Sequence, residues 1–217
     1  MSAVSAESIL AQLHWRYATK VFDPKRKLTA QQWAGLAEVL RLAPSSYGLQ
    51  PWKFFLVQNR ELRLKLRTHS YDQAQVVDCS HFVVMASLRQ VSAQYVRTCV
   101  QSMADERGLS LESLLGYQSV IEEDIVRGPR AKVAKSWAQR QVYIAMGMLL
   151  QSAALLEIDA CPMEGIECAA YDQVLGLEGS DYATVAAVAL GFRSASDSLQ
   201  GLKKVRFPIT EVLQVLE

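Results

Sequence analysis

The chain has 217 residues, half of them hydrophobic and 21% charged, and carries a formal net charge of +1. That balance is expected of one globular domain spanning 1–217, and it excludes collagenous, disordered and strongly basic or acidic chains. With no Lys/Arg run, it lacks the electrostatic footprint of a nucleic-acid or anionic-membrane binder.

The N-terminus has neither a basic stretch nor an apolar core of signal-peptide type, so a cytoplasmic protein is expected. Ala6 to Arg16 reads as a first amphipathic helix behind Ser5, with Ile9, Leu10 and Leu13 on one stripe. Its end delivers Arg16 and Lys20 to one locality. Thr29 followed by Gln32 forms a capping box, behind which Trp33, Leu36, Ala37 and Leu40 keep helical spacing until Pro44. Phe54 to Val57 predicts a short strand, followed by a charged helix to about Arg67.

His81 to Ala86 predicts a buried strand, and Val91–Asp105 and Ser110–Val126 predict helices that end at Gly128-Pro129. Ala131 to Leu156 reads as one long helix, apolar almost all round in its second half, and so central to a core or to a subunit interface. Its apolar part, Val142 to Leu156, falls short of the roughly 20 residues that span a bilayer. Ile158–Cys161 is expected as a strand, Glu167–Leu175 as a short helix ended by Gly176, and Tyr182–Leu190 as a strand buried on both faces. After Gly191 the pattern lapses before an apolar tail: Phe207, Ile209, Val212, Leu213, Val215 and Leu216. The tail must bury itself on a partner subunit or on its own chain, and the pattern alone leaves both open.

Several catalytic devices are absent. There is no GxGxxG, no Walker A loop, no GxSxG and no HExxH. The cysteines form no CxxC pair and are expected as free thiols, and His81, at the start of an apolar strand, is expected to be structural. Four clusters remain: Arg16-Tyr17-Ala18-Thr19-Lys20, Pro44-Ser45-Ser46, Pro162-Met163-Glu164-Gly165 and Lys204-Val205-Arg206. Two supply cations, one supplies hydroxyls on a turn, and one a glycine bend with free backbone N–H groups. Such groups suit a phosphorylated, flat, polar-edged cofactor, which would then be the reactive centre.

The order R-x-x-x-K, P-S-S-x-x-x-Q-P-W, D-x-S-H, P-x-E-G and K-x-R-x-P resembles the FMN-dependent nitroreductase family, nearest the NAD(P)H-using oxygen-insensitive nitroreductases and dihydropteridine reductase-like enzymes. The resemblance implies an α+β fold with a central mixed β-sheet flanked by helices. It also implies an intertwined homodimer with the C-terminal tail exchanged, and FMN at the subunit interface. Arg16, Lys204 and Arg206 match positions that bind the FMN phosphate and ribityl chain, and Lys20 matches the lysine at the ring's N1/C2-carbonyl edge. Pro162, Met163, Glu164 and Gly165 match the bend whose amides face N5 and O4. Pro44, Ser45 and Ser46 match a turn contributed by the opposite subunit, and Tyr47 is a candidate for the substrate face.

Tyr17 and Ala18 stand where a His-Ser pair is common. Asp72 and Gln75 stand where the branch has Asn and Lys, so less charge stabilises the reduced ring. The implied activity is hydride transfer from NADPH or NADH through FMN to nitroaromatic, quinone or pterin-like acceptors in a ping-pong cycle. A non-catalytic flavin carrier or sensor on the same scaffold is the alternative.

Overall fold

The computed structural model describes residues 3–216. Helix α1 (Ala6–Trp15) is capped by the Ser5 side chain, and α2 (Ala30–Leu42) opens on the predicted capping box, both of whose hydrogen bonds are formed. Strand β1 (Trp52–Val57), α3 (Arg60–Thr68), the single turn α4 (Gln75–Asp78) and β2 (His81–Leu88) follow. Next come α5 (Ala93–Arg107), α6 (Leu115–Ile121) and α7 (Ala134–Leu155). The chain closes with β3 (Asp159–Met163), α8 (Cys168–Val174), β4 (Tyr182–Gly191) and the short α9 (Ile209–Val212).

The fold is α+β. The four strands stand in the order β1-β2-β4-β3, and every neighbouring pair is antiparallel. The expected mixed sheet is therefore antiparallel in its strands; its parallel component is one bridge, from Ala18 to Ala160. That bridge seats the segment after α1 against the start of β3.

Strand β4 explains its own sequence. Ala186, Val188 and Leu190 enter one core with α2 and α7, while Ala187 and Ala189 enter another with Leu66, Val76 and Tyr171. A strand covered on both faces needs apolar residues at every position, which is why no alternation is visible in it. A third cluster joins α5, α6 and the first half of α7 around Val96, Ile121, Ile125 and Trp137.

Two predicted helices are broken. Ser110–Val126 divides into a 3₁₀ turn, α6 and a π-helical turn over Glu122–Arg127, and α7 begins only at Ala134, after a second 3₁₀ turn. Gly128 is the cause: a Cβ there would lie 2.2 Å from the Glu123 carbonyl oxygen, so only glycine admits the close return of the chain.

The tail does not pack on its own chain. Its apolar side chains stay exposed, from 61% at Leu213 to 84% at Val205 and Leu216. Among the described residues no helix is long and apolar enough to cross a membrane.

Candidate functional site

A cleft of about 440 Å3 opens between the end of α1 and the segment after β4, and Arg16, Tyr17, Ala18, Lys20, Lys204 and Arg206 line it. Six of the predicted site residues, separated by nearly the whole chain, thus meet in one place. Two buried carboxylates bring them there. Asp159 accepts from Thr19 Oγ1 at 3.3 Å and from the Arg193 backbone N–H and Nε at 2.8 and 2.6 Å. The Arg193 guanidinium in turn lies 4.1 Å from the Trp15 ring and 4.6 Å from that of Tyr17.

Asp197 is 1% exposed and accepts from the backbone N–H groups of Lys20 (2.8 Å), Val21 (3.0 Å) and Leu199 (2.9 Å). It ties the segment carrying Lys20 to the one that leads to Lys204. Burial pushes its carboxyl up, but the amide donors outweigh burial and hold it below the usual aspartate range. The Lys204 ammonium also donates to the Arg16 carbonyl.

The cleft is electrostatically unfinished. Burial, then the nearby Arg206, pulls the Arg16 guanidinium down; burial, then Arg16 and Arg206, does the same to Lys204. Arg16 Nε is sealed from solvent with no partner among the described residues, whereas the Tyr17 hydroxyl is turned toward the Asp197 carboxylate. Crowded cations and an orphaned donor are unstable without an anion, and a phosphate with several acceptor oxygens answers both needs.

Below the cations lies Cys161, fully buried on β3, its sulfur 3.9 Å from both Lys20 Nζ and Gln75 Nε2. Burial pushes this thiol up, against the pull of Lys20, Gln75 and Arg16. Beyond it Pro162 is half-buried, and the Met163 side chain belongs to the core. The Tyr143 hydroxyl donates to Glu164 Oε1, and the Gly165 carbonyl accepts from Gln73 Nε2 at 3.2 Å. The Tyr143 hydroxyl is pushed up to about 12, by burial first and then by Glu164.

Other candidates lie elsewhere. Asp72 has a left-handed backbone (φ 53°) and an exposed carboxylate 3.8 Å from Arg67 Nε, away from the cleft. Pro44, Ser45 and Ser46 lie outside the cleft lining, the Ser46 N–H donating to Gln141 Oε1 on α7 at 2.9 Å and Ser45 Oγ accepting from the Gln50 N–H at 2.8 Å. Tyr47 is also left-handed (φ 58°), and its hydroxyl donates to Asp124 at 2.7 Å. Within one chain these residues make no contact with the cleft. His81 is structural as expected: its ring stacks on Trp33 and hydrogen-bonds Ser80 Oγ.

Sequence reasoning missed Asp159, Arg193, Asp197, Gln73 and the place of Cys161. Asp159 and Asp197 contact partners far off in the chain, for which spacing gives no signal; Cys161 immediately precedes the Pro162 bend and could have been marked. Among the described residues no group of side chains could hold a metal ion.

The description "Nitroreductase family" fits residues 13–192 of the chain. A "Putative NAD(P)H nitroreductase" of Haemophilus influenzae is 33% identical over 217 aligned residues, covering 94% of this chain and 98% of its own. A similarly described protein of Staphylococcus saprophyticus is 33% identical over 97% of this chain and 98% of its own. Among solved structures, a nitroreductase-like protein of Streptococcus mutans superposes with a TM-score of 0.83 at 18% identity, covering 98% of this chain and 100% of its own. A "putative nitroreductase in complex with FMN" of Exiguobacterium sibiricum superposes with a TM-score of 0.79 at 20% identity, covering 100% and 99%.

Proposed function

The chain belongs to the nitroreductase family, and from that premise we propose that it is an NAD(P)H-dependent FMN oxidoreductase acting on small electron-poor acceptors of the nitroaromatic, quinone or pterin type. The observation that carries this reading is the uncompensated trio Arg16, Lys204 and Arg206, with Arg16 Nε orphaned in the cleft. The FMN phosphate supplies the missing charge and acceptors.

When bound, FMN supplies the redox chemistry, taking a hydride from the nicotinamide and passing it to the acceptor. The protein's own groups bind and tune. Arg16, Lys204 and Arg206 grip the phosphate and ribityl chain, with Tyr17 and Ala18 alongside. Lys20 places a cation where negative charge accumulates on reduction, favouring the reduced state over the oxidised one. Gln75, rather than Asp72, is the polar side chain next to Lys20. The backbone N–H groups of Glu164 and Gly165 would meet the polar N5/O4 edge of the ring, and one open face would serve nicotinamide and acceptor in turn, as a ping-pong cycle requires. No side-chain acid or base is required, since protons can come from solvent.

We further propose a homodimer. The exposed tail is unpartnered, and the outer edge of β1 lies beside an apolar groove walled by Trp33, Leu40, Trp52 and Phe54. A partner's tail laid there would bury both, and the same pairing would bring Pro44, Ser45, Ser46 and Tyr47 to the partner's cleft. The released chromophore of purified protein is expected to be FMN, and anaerobic NADPH or NADH is expected to bleach it. Protein that is colourless and takes up no FMN at micromolar levels would overturn the cofactor assignment. Protein that keeps its flavin yet is bleached by neither nucleotide would be a carrier, not a reductase.

A further inference from the structure

Next to Lys20, which lines the cleft, runs a hydrogen-bond chain whose polarity can be read from one end. The Gly165 carbonyl can only accept, so the atom of Gln73 that meets it at 3.2 Å is Nε2. The other head atom of Gln73 is then the oxygen, and it accepts from Gln75 Nε2 at 3.0 Å. The second hydrogen of that Nε2 is left to the Cys161 sulfur at 3.9 Å, and Lys20 Nζ lies at the same distance from that sulfur. Both amide hydrogens of Gln75 are thus committed inside the protein. Its Oε1 accepts from no described residue, and although Gln75 is only 4% exposed, this oxygen is not sealed from solvent.

We propose that Gln73 is a positioning residue that, anchored on the Gly165 carbonyl, forces Gln75 to present an acceptor and not a donor beside Lys20, and that this acceptor recognises an imide N–H flanked by carbonyl groups. Resting on the FMN reading above, the group recognised is the N3–H of the flavin ring. Lys20 and the amide head of Gln75 share the Cys161 sulfur as a neighbour, so the Lys20 ammonium and the Gln75 oxygen form a donor–acceptor pair that matches the adjacent carbonyl and N–H of that edge. The assignment gives Gln75 a different part from a lysine at that position, since an acceptor meets N3–H equally in oxidised and reduced flavin. Gln75 therefore selects the ring, while Lys20 sets its electron affinity.

The test compares FMN with its N3-methyl analogue by titration against apoprotein, in wild type and in Gln75→Met, Gln73→Met and the double variant. Methionine keeps the length of glutamine but has neither oxygen nor N–H. Wild type is expected to prefer FMN by about tenfold, in line with one buried hydrogen bond. Gln75→Met should reduce that preference to about threefold or less. Gln73→Met should lower it in the wild-type background and change nothing further in Gln75→Met, because Gln73 acts only through its neighbour. A preference that persists undiminished in Gln75→Met would mean that the methyl group is rejected by bulk alone, and would overturn the proposal. So would equal effects of Gln73→Met in both backgrounds. If wild type binds neither flavin, the proposed function falls with it; if it binds both equally, only the acceptor assignment falls.

Discussion

At the scale of single residues, two charges of opposite sign define the cleft. Arg206 is supplied by a segment with little other structure, so its removal should act on the ligand more than on the fold. Arg206→Ala is expected to weaken FMN retention by about 1.5–3 kcal/mol, the worth of a charge-assisted hydrogen bond, while turnover of FMN-saturated enzyme changes little. Equilibrium dialysis alongside saturated kinetics checks this, and unchanged retention would remove Arg206 from the phosphate site. Asp197 works the other way, holding protein to protein. Its folded-state pKa is depressed below the ordinary aspartate value of 3.8. It therefore adds stability at pH values above that value and loses it as pH falls through the lower, folded one. Asp197→Asn should lose on the order of 2 kcal/mol at neutral pH, since one amide donor would face an NH₂ group, and the gap from wild type should close in acid. Urea denaturation as a function of pH measures both.

At the scale of elements, the reading from sequence succeeded where one face or both faces of an element were apolar, and failed where backbone geometry intervened. The capping box at Thr29 and Gln32 and the doubly buried strand Tyr182–Gly191 were legible because each rests on local chemistry. The π-helical turn at Glu122–Arg127 was not, since Ser110–Val126 has a helical composition and its interruption depends on how Gly128 returns against the Glu123 carbonyl. Gly128→Ala meets backbone and not a flexible side chain at 2.2 Å. It should therefore destabilise the protein by about 1–3 kcal/mol or more, as overpacking does, and chemical denaturation would reveal it. A variant as stable as wild type would show that the turn relaxes freely.

At the scale of the whole molecule, the proposed homodimer accounts for both the unburied tail and the separation of the predicted site residues. Monomers rarely leave contiguous apolar surface of this kind uncovered, yet Phe207, Ile209, Val212, Leu213, Val215 and Leu216 are all exposed. The hydroxyl turn Pro44–Ser46 meanwhile lies apart from the cations. The proposed homodimer would resolve both at once. If the proposed dimer forms, replacing Phe207 and Leu213 by Glu should convert it to monomers in sedimentation analysis and release FMN together with the partner. A double variant that sediments like wild type and keeps its flavin would count against tail exchange.

The amino-acid sequence by itself determined most of the helices and strands and the identity of the cations, because cap residues, apolar spacing and fixed charge are properties of short stretches. What only tertiary structure decided was which of these groups meet. Asp159 and Asp197 join segments distant in the chain, Asp72 is turned out to Arg67, the sheet is antiparallel, and the direction of the Gln73–Gln75 hydrogen bonds is set from a glycine carbonyl. The contacts of Asp159, Asp197 and the two glutamines depend on buried polar groups finding partners, and a buried carboxylate or amide is satisfied by whatever the fold brings within about 3 Å, however far away it stands in the chain.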